Sequence, residues 1–393
     1  MKILFLTSMP IEYSASANMR NIALISGLTK LKYKVDVLCP SAEPDSKFVD
    51  KSCDLSSINN IIRLNTINNN LNSLKNKNNT LKSKIFNLIK KIYLSFSIYD
   101  GRKVFIYKLN KLEINEEYDI LISSSDPKSS HLLAEHLFKK NKNIAKLWIQ
   151  YWGDPFASDI NDKRKYIKSK ISKEENRLLG LADKVVYVSP FTKEEQKEKY
   201  PINASKMIFC PIPYLKEKKF SKNVHKNKIT FGYFGDYYSK NRNICNLYNT
   251  ISDDKNYNLV IYGNSDIKLN SLSNIEVKER QSLARVEEKE KECDILVCVC
   301  NKNGTQIPGK IYHYAATNKP ILIILDGNKK NEMKKFFDSF NRFYTCDNNK
   351  IEIRRMLEII MHESKNFYPC EKLNCENVAR EFISECLGIK NDK

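Results

Sequence analysis

Glycine is scarce in this chain, with 11 residues in 393. No Gly-x-Gly-x-x-Gly occurs, so a dinucleotide fingerprint is unsupported. No Asp-x-Asp triplet occurs either, which weakens the case for paired carboxylates holding a divalent ion on a diphosphate. The 11 cysteines are scattered, with no Cys-x-x-Cys and no nearby His pair. Several, such as Cys39, Cys298 and Cys300, sit in apolar runs, which reads as buried reduced thiols rather than disulfides or a zinc site. No apolar run approaches the ~18 residues of a membrane-spanning helix. The start of the chain, with Lys2 followed by Ile3-Leu-Phe-Leu6, has no cleavage-site pattern and does not read as a signal peptide. Acidic residues are outnumbered: 66 Lys+Arg against 46 Asp+Glu leave a net charge of +20.

What is present fits a folded protein. Hydrophobic residues make up 41% and aromatics 10%, too many for a disordered chain. The length suits two or three domains of roughly 150 residues. Part of the basic excess is spread through a chain rich in Lys, Asn and Ile. The rest clusters most densely in 72–111, where apolar residues recur at 81, 85, 88, 89 and 92, a helical period. Lys82, Lys84, Lys90 and Lys91, with Phe86, make this a basic amphipathic helix suited to docking on an anionic membrane surface. A packed helix with a solvated Lys face fits the same spacing. Nucleic acid is not favoured, because no aromatic-interleaved basic motif occurs.

Short apolar runs alternate with helical stretches throughout. Strands are predicted at 2–7, 34–39, 118–123, 146–151, 184–188, 207–210, 229–234, 257–262, 293–299 and 320–325. Helices are predicted at 17–31, 80–97, 128–140, 161–181, 190–199, 241–252, 281–291, 308–317, 328–339, 349–364 and 373–387. Such alternation predicts an α/β fold with parallel sheets covered on both faces. A Lys-rich stretch at 216–226 precedes a fresh first-strand pattern at 229–235, so a boundary falls between 212 and 227. The domains are then 1–212, 213–370 and a closing segment 371–393. The Asn- and Lys-rich segment 62–80 reads as a loop or insertion.

Four loops are candidates for holding a phosphate or a reacting group. After the first strand, Tyr13-Ser-Ala15-Ser16-Ala-Asn-Met-Arg20 offers small residues at a helix start, with Arg20 one turn in. A plain Ser-rich cap fits too. Gly232-Tyr-Phe-Gly235-Asp236 is followed by Lys240 and Arg242, cations at a predicted helix start that a bound anion would compensate. Gly304-x4-Gly309-Lys310 approaches a P-loop, but Ile311 lacks the metal-binding hydroxyl and Pro308 lacks an N–H. Ser123-Ser-Ser-Asp126-Pro127 and Trp152-Gly-Asp154-Pro155 close strands of the first block. Asp126 and Asp154 are therefore candidates for the reacting centre, although either also suits a turn. His131, near a helix start, reads as structural.

Taken together these segments resemble the GT-B glycosyltransferases, nearest to the retaining family 4 group of bacterial capsule, O-antigen and exopolysaccharide synthesis. The resemblance is carried by Lys2-Ile-Leu-Phe-Leu-Thr-Ser-Met-Pro10, Lys34-Val-Asp-Val-Leu-Cys-Pro40, Tyr118-Asp-Ile-Leu-Ile-Ser-Ser-Ser-Asp-Pro127, Ala182-Asp-Lys-Val-Val-Tyr-Val-Ser189 and Ile307-Pro-Gly-Lys-Ile-Tyr-His-Tyr-Ala-Ala-Thr-Asn-Lys-Pro-Ile-Leu322. It implies two Rossmann-like domains facing across a cleft, with the last helix returning to the N-terminal, acceptor domain. Ala15, Ser16 and Arg20 match the donor-side glycine loop. Gly235, Lys240 and Arg242 match the region around the diphosphate, and Lys310 adds to that clamp. Thr305 and His313 stand where the family carries the two glutamates of a Glu-x7-Glu pattern, a departure on the ribose and sugar side. Asp126 stands where many relatives place an acceptor-side His.

The resemblance further implies a retaining, metal-independent hexosyltransferase without a cofactor. Its donor is a nucleotide-diphosphate sugar, a UDP-sugar first among them, and its acceptor a lipid-linked saccharide. It works at the cytoplasmic face of the cell membrane as a peripheral protein. Catalysis falls to Asp126, Asp154 and Arg242, with fixed cations stabilising the departing diphosphate. Two other readings stand beside it: a catalytically degenerate subunit that binds a partner or membrane, and a nucleotide-sugar 2-epimerase-like enzyme.

Overall fold

The computed structural model describes residues 1–43, 46, 48–50, 52–65, 88, 92–160, 162, 164–221, 228–363 and 366–389. The chain divides into two units, Met1–Pro211 with Val378–Lys393, and Ile212–Asn377.

The first unit runs β1 (Lys2–Leu6), α1 (Ser16–Lys30), β2 (Lys34–Pro40), β3 (Asn60–Leu64), α2 (Ile106–Leu109), β4 (Tyr118–Ser124), α3 (Ser129–Lys140), β5 (Ala145–Trp152), α4 (Lys168–Leu181), β6 (Lys184–Tyr187), α5 (Pro190–Lys199) and β7 (Met207–Phe209). Its seven strands lie in the order β3-β2-β1-β4-β5-β6-β7, every pair parallel. Ile3, Leu4, Phe5 and Leu6 are all buried. Such unbroken apolar runs are what a strand covered on both faces requires. Ser189 caps α5, accepting from the N–H of Thr192 at 3.3 Å, and Pro190 opens the helix where no N–H is needed.

The second unit runs β8 (Ile229–Phe234), α6 (Cys245–Ser252), β9 (Tyr257–Tyr262), β10 (Ile275–Lys278), α7 (Leu283–Glu292), β11 (Ile295–Val299), α8 (Lys310–Tyr314), β12 (Ile321–Leu325), α9 (Lys330–Asp338), β13 (Tyr344–Asp347) and α10 (Lys350–His362). The sheet order is β10-β9-β8-β11-β12-β13, again parallel throughout. The last helix, α11 (Cys375–Leu387), buries Val378, Ala379, Phe382, Ile383 and Cys386. From Val378 onward it belongs to the first unit, where Phe382 meets the ring of Tyr151 edge-on at 5.6 Å.

Every strand predicted from the sequence forms. Three more were missed: β3, β10 and β13, all short and all at or next to a sheet edge. An edge strand packs fewer neighbours, so its apolar signal is weak. The β3 strand corrects part of the loop expected over 62–80, since residues 62–64 pair with Leu38–Pro40; residues 66–80 lie outside the described residues. Helix starts also shift. The helix expected from 161 begins at Lys168, that from 241 at Cys245, and that over 308–317 shortens to Lys310–Tyr314. Of the helix expected over 80–97, residues 88 and 92–96 are described and helical. All 11 cysteines are free thiols, nine of them buried. Among the described residues no helix is long and apolar enough to cross a membrane.

Each sheet reverses its build direction once, between β1 and β4 in the first unit and between β8 and β11 in the second. Ligands of open parallel sheets bind beyond the carboxyl ends of strands at such a reversal.

Candidate functional site

In the first unit the loop leaving β1 leads into α1, whose cap is Ala15. Ala15 makes no side-chain cap bond, so the serine cap is not built, and Ser16 is exposed. Arg20, one turn into α1, is only 5% exposed. Its Nη2 donates to the carbonyl of Ser125 and to Ser124 Oγ at 3.3 Å, and the guanidinium lies 4.7 Å from the ring centre of Tyr151. Nε has no partner among the described residues. Gly153 makes room for this arrangement, because a Cβ there would stand 2.1 Å from Arg20 Nη1. Arg20 therefore ties α1 to the ends of β4 and β5, with little surface left for a ligand.

The loop after β4 adds a charge cluster around Asp126 and Asp154 whose central cation, Lys128, sequence reasoning missed. Lys128 is buried, and its Nζ donates to Asp126 Oδ1 and, at 2.9 Å, to the carbonyl of Asp154. Asp159 Oδ2 stands 4.0 Å away. Burial disfavours the ammonium, but Asp126, Asp154 and Asp159 outweigh it and raise the Lys128 pKa. Asp126, with a side chain 39% exposed, presents a more accessible carboxylate than Asp159 at 19%. Behind it His131 is fully buried. Its Nδ1 lies 2.8 Å from Ser123 Oγ, which also accepts from Trp148 Nε1 at 2.9 Å. Burial, with Lys128 and Arg20 nearby, pushes its pKa well below the usual value, so the ring is neutral. Glu175, fully buried on α4, accepts from the N–H groups of Phe156 at 2.5 Å and Ala157 at 3.1 Å. It thereby fixes the turn that carries Asp154.

In the second unit the backbones at the ends of β8 and β9 touch. A Cβ on Gly263 would lie 2.0 Å from the carbonyl oxygen of Gly235, so the required glycine is Gly263, while Gly235 has space around it. Arg242 lies in the loop before α6, not in the helix itself. Its Nε and Nη2 donate to Asn301 Oδ1, beyond the end of β11, at 3.1 and 2.7 Å, and its Nη1 to the carbonyl of Asp236 at 3.4 Å. It is half-buried and, among the described residues, in no ion pair. Lys240 is exposed in the same loop, where its carbonyl accepts from Asn303 Nδ2 at 2.9 Å.

Thr305 is buried in the segment between β11 and α8. Lys310 and His313, on α8, meet a residue that the sequence reading passed over. Glu290 of α7 has no solvent exposure. Its Oε1 lies 3.3 Å from Lys310 Nζ and its Oε2 lies 3.8 Å from His313 Nε2. The Lys/Glu-rich helix Leu-Ala-Arg-Val-Glu-Glu-Lys-Glu-Lys-Glu reads as solvated, yet Glu290 falls on the face of Val286 and Cys293 by three- and four-residue spacing, a signal that was available. Burial opposes the Glu290 anion, but His313, Lys310 and Lys218 hold its pKa down to about 2. The five residues expected to dock a membrane, Lys82, Lys84, Phe86, Lys90 and Lys91, lie outside the described residues. Next to them Leu88, Ile92, Tyr93 and Phe96 are exposed.

Two parallel-sheet α/β units of seven and six strands match the structures of GT-B glycosyltransferases. Among individual matches, a glycosyltransferase from Rickettsia africae ESF-5 aligns over 99% of each chain, with a TM-score of 0.57 and 13% identity. A structure described as trehalose-6-phosphate from E. coli bound with UDP-2-fluoro glucose aligns over 99% of this chain and 100% of its own, with a TM-score of 0.57 and 9% identity. TarM aligns over 98% and 94%, with a TM-score of 0.57 and 9% identity. At these identities the likeness establishes the fold. No protein-family model and no curated protein matches the sequence.

Proposed function

We propose that this chain is a glycosyltransferase that moves a sugar from a nucleotide-diphosphate donor to a saccharide acceptor. The observation that carries the proposal is Arg242, a half-buried guanidinium fixed by Asn301 at the reversal point between β8 and β11 and in no ion pair among the described residues. A preorganised cation at that place suits a diphosphate, and it stabilises the charge that grows on the leaving group as the sugar departs. Lys240 in the same loop adds an exposed cation. The structure described with UDP-2-fluoro glucose, which shares the fold, makes UDP-sugars the first donors to test.

The finer reading follows the resemblance. Transfer proceeds with retention and without a metal, because fixed cations neutralise the diphosphate. Asp126, accessible and held by Lys128, receives the acceptor hydroxyl, and Asp154 belongs to the same group. The acceptor is a lipid-linked saccharide of bacterial surface polysaccharide synthesis, met at the cytoplasmic face of the membrane. The exposed Leu88, Ile92, Tyr93 and Phe96, beside the Lys-rich segment, support that docking. A partner-binding subunit is the second reading, favoured by the engagement of Lys310 and His313 with Glu290.

A thermal-shift screen against UDP, GDP, CMP and their sugar conjugates tests the proposal. Ligand at 100 times its dissociation constant stabilises by about 2.7 kcal/mol. A shift confined to one nucleotide series, lost in Arg242→Ala, is expected. No shift with any nucleotide, together with no donor turnover, overturns the enzyme reading and leaves the partner-binding one.

A further inference from the structure

We infer that Glu290 is a positioning residue for the nucleotide-sugar site, acting through Lys310 and His313; this rests on the donor reading proposed above. Glu290 is the one carboxylate of α7 that is wholly buried, whereas Glu288 and Glu292 are exposed. A buried carboxylate is costly, and an apolar side chain of similar volume is commonly as stable or more so. The partners of Glu290 show what its charge does.

His313 Nε2 lies between two groups that require opposite proton positions. Lys218 Nζ is 3.4 Å away and can only donate, so Nε2 must then be a lone pair, with the proton on Nδ1. Glu290 Oε2, at 3.8 Å and with no hydrogen-bond partner among the described residues, can only accept, so Nε2 must then carry the proton. Burial, Lys310 and Lys218 lower the His313 pKa, while Glu290 opposes them. The ring is therefore neutral at neutral pH, and the neighbour that approaches selects its tautomer. The other groups around the pair are Glu287, whose Oε1 accepts from Lys218 Nζ at 2.6 Å, and the buried Tyr314, whose ring centre lies 5.6 Å from Lys310 Nζ.

The pair is connected to the reversal point. Asn301, which accepts from Arg242, also donates from its Nδ2 to the carbonyl of Gln306 at 3.1 Å, in the segment that leads into α8 and Lys310. An anionic diphosphate at Arg242 also attracts Lys310. When Lys310 leans toward it, the Glu290 carboxylate turns to His313, Lys218 stays with Glu287, and the ring gives up its Nδ1 proton and takes one at Nε2. Occupancy by a nucleoside diphosphate is thereby written into the proton position of His313, and Glu290 keeps both α8 side chains aimed before the ligand arrives.

The test uses the full chain, with UDP affinity measured by calorimetry from pH 5.5 to 8.0 and the histidine ring nitrogens followed by NMR. The His313 signals are assigned by their loss in His313→Gln. Glu290→Gln keeps the shape and removes the charge. It is expected to weaken UDP binding at least tenfold, to change the pH dependence of the affinity, and to abolish the movement of the His313 ring signals on adding UDP. Glu290→Asp keeps the charge and is expected to restore part of both. If Glu290→Gln does not fold, Glu290→Asp and His313→Gln carry the same comparison, each expected to lie between wild type and complete loss. UDP affinity within twofold of wild type in these variants, with His313 signals of the wild-type chain that ignore UDP, overturns the inference alone. A wild-type chain that does not bind UDP or any other nucleotide overturns the donor reading and this inference together.

Discussion

Arg20 and Arg242 hold matching places in the two units. Each follows the first strand of its sheet, and each donates to the end of the strand across the reversal or the chain just past it: Ser124 at the end of β4 and Ser125 after it for Arg20, Asn301 beyond β11 for Arg242. Arg20 is sealed, roofed by the Tyr151 ring and fitted against Gly153. Arg242 is half-buried, with its guanidinium oriented by a neutral amide. The same residue type at the same place in a shared architecture thus acts as a structural tie in one unit and as an available cation in the other. Position in the topology makes a site possible. What covers the side chain decides whether a ligand can use it.

Substitutions can break that contrast, the largest effect first. Arg20→Ala leaves the Ser125 carbonyl without its donor and opens a cavity under Tyr151, a loss of about 3 kcal/mol. The first unit should melt roughly 6–12 °C lower by calorimetry, while UDP affinity holds. An unchanged melting point with lost affinity would return Arg20 to the donor site. Arg242→Ala should do the reverse, weakening UDP binding by about 100-fold, or ~2.7 kcal/mol of charge-assisted hydrogen bonding, at an unchanged melting temperature. Gly153→Ala puts a Cβ 2.1 Å from Arg20 Nη1 and forces the guanidinium aside. It should destabilise the first unit by about 2 kcal/mol without touching nucleotide binding, as denaturant titration would show.

The fourth test concerns pH. His131 is neutral in the fold, with a pKa well below its unfolded value. The unfolded chain therefore binds the extra proton first. This contribution to stability is complete above the unfolded pKa of about 6.5 and falls as pH drops below it, by about 1.4 kcal/mol per pH unit until the folded pKa is reached. His131→Gln should flatten that acid slope, read as amide-exchange protection in β4 between pH 4.5 and 7. His313 adds a slope of the same sign in the second unit.

Much of the fold was legible because central strands announce themselves. Ile3-Leu-Phe-Leu6, Ile321-Leu-Ile-Ile-Leu325 and their counterparts are buried on both faces, and no other short element is so uniformly apolar. The edge strands β3, β10 and β13 carry Arg63, Glu276 and Asp347 among their few residues and gave no such signal. The candidate site was legible in part. Arg242, Asp126 and Asp154 were found because they follow strands. Lys128, Glu175 and Glu290 were missed because a charged residue in a helix or turn reads as solvated unless something specific compensates its burial.

The sequence by itself determined two α/β units, the strands of their centres and the loops where chemistry can gather, because hydrophobic periodicity is a local property of the chain. Only the tertiary structure decided which charges those loops expose. It buried Arg20 and left Arg242 half-open, drew Lys128 in among three aspartates, and set Glu290 beside His313. Burial and pairing depend on side chains brought together from distant positions, and desolvation sets the cost of each charge only once those neighbours are in place.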